Sequence, residues 1–206
     1  MAVLQAPQPS PMARVLYLHG FRSSPQSMKA RMTAAWMQAN RPDIEWLCPQ
    51  LPPSPRDAMA LLHAALGDAH AGAHAAQLAV IGSSLGGFYA TVLAEARGCR
   101  AVLLNPAIDP ARDLAKYIGE TTAWHSDEPF FFRPAFVDEL RAMTPAAVTQ
   151  PERYYTVIAK GDEVLDWREM SARYVACPGK LLEGGDHALS DFDLHLPDVL
   201  RFIGLA

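Results

Sequence analysis

Short apolar runs alternate along this chain with longer segments whose apolar residues recur at helical spacing. That alternation leaves few folds open, because it is the pattern of strands made parallel by helical crossovers. The runs are Arg14–Leu18 (RVLYL), Ile44–Leu47 (IEWL), Leu78–Ile81 (LAVI), Ala101–Leu104 (AVLL), Tyr154–Ala159 (YYTVIA) and a weaker Lys180–Glu183 (KLLE). Between the first two, Met28, Met32 and Trp36 recur every four residues, which predicts one packed face of a helix that Pro42 stops. Between the second and third, the proline-rich loop Pro49–Pro55 leads into a helix carrying Leu61, Leu62, Ala65 and Leu66. His63, His70 and His74, on or just past that helix, read as solvent-facing. No internal repeat is visible at any period, which excludes a solenoid or a propeller.

A chain of 206 residues buries a substantial core as one domain, residues 1–206, without disulfides or a structural metal. Hydrophobic residues make up 50% and charged residues 19%, so no large disordered region is expected. The net charge of −4 comes with no Lys/Arg cluster, and nucleic acid is excluded as a partner on that ground. Cys48, Cys99 and Cys177 are odd in number and far apart, which fits neither a disulfide framework nor metal-ligand spacing, so they read as reduced thiols. The start, Met1 to Pro11, lacks the basic and apolar segments of a signal peptide, and no stretch approaches the ~20 apolar residues of a membrane span. A cytoplasmic protein is the expectation. Pro7–Pro11 (PQPSP) reads as a solvated tail. Nothing in the sequence specifies an oligomeric state.

The connection from Pro106 to Pro151 is longer than most loops, and a connection of that length is usually functional or carries structure of its own. Two short helices are predicted in it, over Ala111–Ile118 and Pro134–Met143, separated by the aromatic-rich stretch Trp124–Phe132 (WHSDEPFFF). Residues 107–150 are read as a small helical cap inserted over the active site. Trp124, Phe130, Phe131, Phe132 and Phe136 would supply part of its own core.

The chemistry concentrates at Gly82-Ser83-Ser84-Leu85-Gly86-Gly87, directly after a predicted strand and before the apolar helical segment Phe88–Ala96. This is the G-x-S-x-G nucleophile elbow in its strand-turn-helix setting. Side chains two positions before and after the serine would collide with neighbouring backbone, and Gly82 and Gly86 meet that demand. Only Ser84 has glycines at both positions, so Ser83 reads as a packed neighbour. The elbow aims the following helix N-terminus at negative charge developing beside the hydroxyl.

A serine hydroxyl needs a base to take its proton and an acid to orient that base. In folds built on this elbow the acid and then the histidine follow the serine, each on a loop leaving a later strand. Gly161-Asp162-Glu163-Val164 follows the fifth strand and Gly184-Gly185-Asp186-His187 the sixth. His187 is therefore the expected base, and Asp162 the expected acid. Asp166 reads as an N-cap, Glu163 and Asp186 as neighbours able to tune the site, and His195 lies further on, before the final helix. Two N–H donors must meet the tetrahedral oxyanion, each worth ~10²–10³ in turnover. Leu85 is the first expected donor, and Phe21, in the loop His19-Gly20-Phe21-Arg22-Ser23-Ser24-Pro25, the second. Gly20 and Arg22 of that loop are the expected substrate-binding residues. His19 precedes the serine and reads as a structural hydrogen-bonding group.

Five segments together resemble the YqiA-type esterases, small bacterial members of the α/β-hydrolase superfamily. They are LYLHGFRSSPQSMKA (Leu16–Ala30), IGSSLGGFYA (Ile81–Ala90), LNPAIDP (Leu104–Pro110), KGDEVLDWRE (Lys160–Glu169) and EGGDHALSDF (Glu183–Phe192). The resemblance runs from Leu16 to the C-terminus and is weakest over Gly119–Arg133. It implies a cytoplasmic serine esterase acting on short acyl esters and acyl-CoA thioesters, with Ser84, Asp162 and His187 at the triad positions. It also implies the α/β-hydrolase fold without the superfamily's first antiparallel strands: a compact six-stranded, mostly parallel sheet in order 2-1-3-4-5-6, helices on both faces. Acyl transfer of this kind requires no metal or organic cofactor. A peptidase or amidase using the same triad, and a non-catalytic binding protein on a hydrolase fold, are the alternatives.

Overall fold

The computed structural model describes residues 12–67, 75–122 and 129–206. The Pro7–Pro11 tail, His70, His74 and Trp124 lie outside them. In chain order the elements are β1 (Arg14–Leu18), α1 (Met28–Asn40), β2 (Glu45–Leu47), α2 (Pro55–Leu66), β3 (Leu78–Ser83), α3 (Leu85–Arg97), β4 (Arg100–Leu104) and α4 (Pro110–Leu114). There follow β5 (Gly119–Thr122), β6 (Pro129–Phe132), α5 (Pro134–Met143), β7 (Tyr154–Ala159), α6 (Trp167–Arg173), β8 (Gly179–Leu182) and α7 (Leu196–Phe202).

Six strands form one parallel sheet in the order β2-β1-β3-β4-β7-β8. The predicted order holds, with strand ends displaced by one or two residues. Successive side chains of a strand point to opposite faces, so continuous apolar runs mean that both faces are covered. Leu16, Leu18, Val80 and Leu103 pack with α2, α3 and the segment between β4 and β7. Val15, Tyr17, Ile81 and Val102 pack with α1 and α7. Each such fully buried aliphatic side chain contributes about 1.5–3 kcal/mol.

The helices end where their chemistry requires it. Ser54 caps α2 by accepting from the Asp57 N–H, with Pro55 in the first turn. Gly98, at φ 74°, stops α3 with its N–H on the Ala94 carbonyl. In α1 the buried face is Lys29, Ala30, Thr33 and Met37, not the stripe expected from spacing: Met28 is 41% exposed, and Met32 and Trp36 are half-buried. The helix is turned by about one residue from the methionine stripe, and a lysine takes a core-facing position.

The long connection also differs from the expectation of helices alone. Its first helix is only α4, capped by Asp109 and continued by a tight turn over Ala115–Tyr117. The aromatic stretch then closes an antiparallel hairpin, β5 with β6, in which Gly119 faces Phe132 and Thr122 faces Pro129. Phe132 is buried while Phe131 is 51% exposed, the alternation of a strand with one covered face. α5 falls at the predicted bounds. Among the described residues no helix is long and apolar enough to cross a membrane.

Candidate active site

The C-terminal ends of β1, β3, β7 and β8 bring together the residues singled out in the sequence. Ser84 stands between β3 and α3 at φ 56° and ψ −122°, a conformation unfavourable for a residue with a side chain. Neighbouring backbone holds it there: its N–H donates to the Leu104 carbonyl at 3.0 Å, and its own carbonyl accepts from Gly87 and Ala107. A Cβ at Gly82 would lie 2.2 Å from the Gly86 oxygen, and one at Gly86 only 2.0 Å from the Leu18 oxygen. Both glycines are thus required by backbone packed against backbone.

Asp162 follows β7 and His187 follows β8. Their loops touch closely enough that a Cβ on Gly161 would lie 2.2 Å from the Gly185 oxygen. Asp162 is fully buried at its side chain; its Oδ1 accepts from the N–H groups of Val164 and Leu165, each at 2.8 Å, while Oδ2 lies 2.7 Å from His187 Nδ1. An ionised carboxylate only accepts, so Nδ1 carries the ring proton and Nε2 is left as the acceptor. Nε2 lies 3.0 Å from Ser84 Oγ. The three side chains form one hydrogen-bonded chain with its basic nitrogen on the serine hydroxyl.

The loop after β1 closes over the serine from the other side. A Cβ on Gly20 would stand 3.2 Å from Ser84 Cβ and 3.6 Å from Ser84 Oγ. Among the described residues no acceptor meets the N–H of Phe21 or of Leu85. His19 clasps this loop to the one after β2: its Nε2 accepts from the Leu51 N–H at 3.0 Å, so Nδ1 holds the proton and donates to the Gly20 carbonyl. Arg22, at φ 60°, directs its guanidinium to the carbonyl and hydroxyl of Thr122 in β5. The Phe21 ring packs against Phe130 and Phe132 at centroid distances of 5.1 and 5.3 Å, so the hairpin rests on this loop. Asp166 caps α6, and His195, buried beneath α7, faces Asp191.

Three further groups support the arrangement: Glu163, the sequence neighbour of Asp162, and Asn105 and Lys29, which the residue spacing does not mark. Asn105, fully buried at φ 42°, accepts from the Ala159 N–H and donates to the Asp186 carbonyl, joining the ends of β4 and β7 to the His187 loop. An asparagine tolerates that conformation better than most residues. Glu163 accepts the backbone N–H of His187 at 2.9 Å. Lys29 donates to the Ala188 carbonyl, next to His187. Burial pushes the Lys29 ammonium down to about 8, against the raising influence of Asp186 and Asp162. The hydroxyl and N–H of Ser190 hold the Asp186 carboxyl below its ordinary value.

A cleft of about 300 Å³ opens beside Ser84, lined by Tyr17, Ser27, Lys29, Glu163 and His187 among others. A second, of about 230 Å³, lies at the opposite strand ends among Arg14, Glu45 and Arg97, remote from the serine and histidine. Among the described residues no group of three or more His, Cys, Asp or Glu side chains could hold a metal ion. Burial raises the thiols of Cys48 and Cys99 to about 12 and that of Cys177 to about 11, which keeps them protonated and unreactive near neutral pH.

Solved structures share the architecture. Est1E from Butyrivibrio proteoclasticus, in a structure with ferulic acid bound, is 14% identical with a TM-score of 0.65, the match covering 94% of this chain and 88% of that one. Alpha/beta hydrolase domain-containing protein 10 from mouse is 16% identical with a TM-score of 0.63, over 91% and 89% of the two chains. The esterase domain of a Rhodothermus marinus protein is 20% identical with a TM-score of 0.59, over 94% and 89%. At these identities the likeness speaks for the fold, and the fold is that of the α/β hydrolases. The model of the uncharacterised protein family UPF0227 matches residues 14–204, and the chain belongs to that family.

Proposed function

We propose that this chain is a serine esterase that hydrolyses carboxylic esters, including short acyl esters and acyl-CoA thioesters, through an acyl-enzyme on Ser84. The observation that carries the reading is the chain of contacts from Asp162 Oδ2 to His187 Nδ1, 2.7 Å, and from His187 Nε2 to Ser84 Oγ, 3.0 Å. Neighbours named as esterases are in keeping with it.

His187 Nε2 accepts the hydroxyl proton as Oγ attacks the acyl carbonyl, and Asp162 stabilises the imidazolium that forms. The tetrahedral oxyanion receives hydrogen bonds from the Phe21 and Leu85 N–H groups, which meet no acceptor among the described residues. Collapse breaks the bond to the alcohol or thiol, which leaves with the proton from His187. Water, deprotonated by the same nitrogen, then attacks the acyl-enzyme and frees the acid and Ser84. Residues 107–150 act as a cap, with the β5–β6 hairpin over Phe21. Gly20 contributes close backbone approach, and Arg22 holds the substrate side of the loop through its bonds to Thr122.

Turnover of a chain-length series of p-nitrophenyl esters, run beside acyl-CoA and peptide substrates, tests the reading. Esters and thioesters should be cleaved and peptides left intact, with Ser84→Ala lowering kcat by ~10³-fold or more. Peptide cleavage in place of ester cleavage would favour the amidase alternative, and unchanged ester turnover in the mutant would sink the proposal.

A further inference from the structure

One wall of the cleft beside Ser84 carries polar groups that acyl transfer does not use. Tyr17 is fully buried, and neither its phenol oxygen nor the buried Ser27 hydroxyl has a hydrogen-bond partner among the described residues. Burial holds the Tyr17 phenol far above its ordinary range; the hydroxyls of Ser83 and Ser27 temper the effect, yet neither meets it in hydrogen-bonding geometry. Lys29, only 8% exposed, lines the same cleft. Its ammonium has three N–H groups, and among the described residues its hydrogen bond is to the neutral Ala188 carbonyl, with no carboxylate at ion-pair distance.

The carboxylates around Lys29 have donors elsewhere. Asp162 is taken by His187, Val164 and Leu165, Asp186 by the N–H and hydroxyl of Ser190, and Glu163 by the His187 N–H. A buried cation with no carboxylate at ion-pair distance, beside hydroxyls that have no partner among the described residues, destabilises an empty fold. Such groups persist where a bound water, ion or ligand completes them.

We propose that this wall is a subsite for an anionic oxygen group, a carboxylate or phosphoryl oxygen, carried by the substrate a few bonds from the scissile carbonyl and received by Lys29 Nζ, the Tyr17 hydroxyl and the Ser27 hydroxyl. The inference rests on the Ser84 esterase reading and gives it a substrate class. The depressed value of about 8 leaves Lys29 cationic at neutral pH and neutral soon above it.

Two matched substrate pairs test this. On the acyl side, the mono-p-nitrophenyl ester of glutaric acid is compared with p-nitrophenyl pentanoate; on the leaving-group side, 4-acetoxyphenyl phosphate is compared with phenyl acetate. The wild-type ratio of kcat/KM, charged over neutral, should be about tenfold or more in one pair, which identifies the side that carries the anion. Lys29→Met should lower that ratio about tenfold and Tyr17→Phe severalfold, and the wild-type ratio should fall as pH rises through about 8. Loss of fold or of general activity divides out of a ratio, and the wild-type ratio and its pH profile decide the matter without any variant. Ratios near one in both pairs, or a ratio that Lys29→Met leaves in place, would overturn the subsite while the esterase reading stands. Absence of Ser84-dependent turnover of every ester would overturn both.

Discussion

At Ser84 a disfavoured backbone conformation and a fully formed hydrogen-bond chain occur together, and Lys29 shows the same trade between stability and site chemistry in electrostatic form. Its ammonium titrates at about 8 in the fold against an ordinary 10.5. Between those values the unfolded chain binds the proton and the folded chain does not, so stability rises with pH across the window, and below about 8 the full penalty is present. Lys29→Met should therefore be more stable than the native chain at pH 7 by about 1–3 kcal/mol, with the advantage shrinking toward pH 10.5. Urea unfolding at pH 7 and pH 10 measures this; a variant less stable at both, with no trend, would mean that the bond to Ala188 outweighs the burial. Such a residue is illegible in sequence, since a lysine beside a methionine stripe reads as the solvated side of a helix. Asn105 hides for a related reason, because its use depends on a positive φ and on loops distant in the chain. The side chains that meet at the candidate site, Ser84, Asp162 and His187, stood out in the sequence because each lies within two residues of a glycine just past an apolar run, where backbone geometry leaves few alternatives.

At the scale of elements, the turn from β3 into α3 has no slack. Gly86→Ala would drive a Cβ to 2.0 Å from the Leu18 oxygen, a contact with backbone that no side-chain rotation relieves. The substitution should lower stability by on the order of 3 kcal/mol, read as a lower urea midpoint. Gly184→Ala, with nothing within 4 Å of its added Cβ, is the control and should leave the midpoint close to native. Equal midpoints for the two variants would contradict the packing described for the turn. The six sheet strands were readable because coverage on both faces writes continuous apolar runs. The β5–β6 hairpin was not: its strands have four residues each, begin at Gly119 and Pro129, and lie in a connection whose flanking segments have helical spacing. Thr121, Thr122 and the Phe130–Phe132 run carry the strand preference, but the glycine and proline read as breaks.

Over the whole molecule, all strands of the six-stranded sheet run parallel, but the sheet grows to one side of β1 with β2 and to the other with β3 and the sheet strands that follow, and the cleft opens where the loops leaving β1 and β3 part. The loop after β1 supplies Gly20 and Phe21, the turn after β3 supplies Ser84 and Leu85, and the loops after β7 and β8 supply Asp162 and His187. Parallel strands present all these loops at one end, so residues far apart in the chain meet within hydrogen-bonding distance. The most direct measurement of the central claim is reaction with a fluorophosphonate, followed by peptide mass mapping of the adduct. The account predicts a single adduct on Ser84 and none on the adjacent Ser83, with labelling lost in Ser84→Ala. Labelling that persists in that variant, or an adduct carried by Ser83, would contradict it.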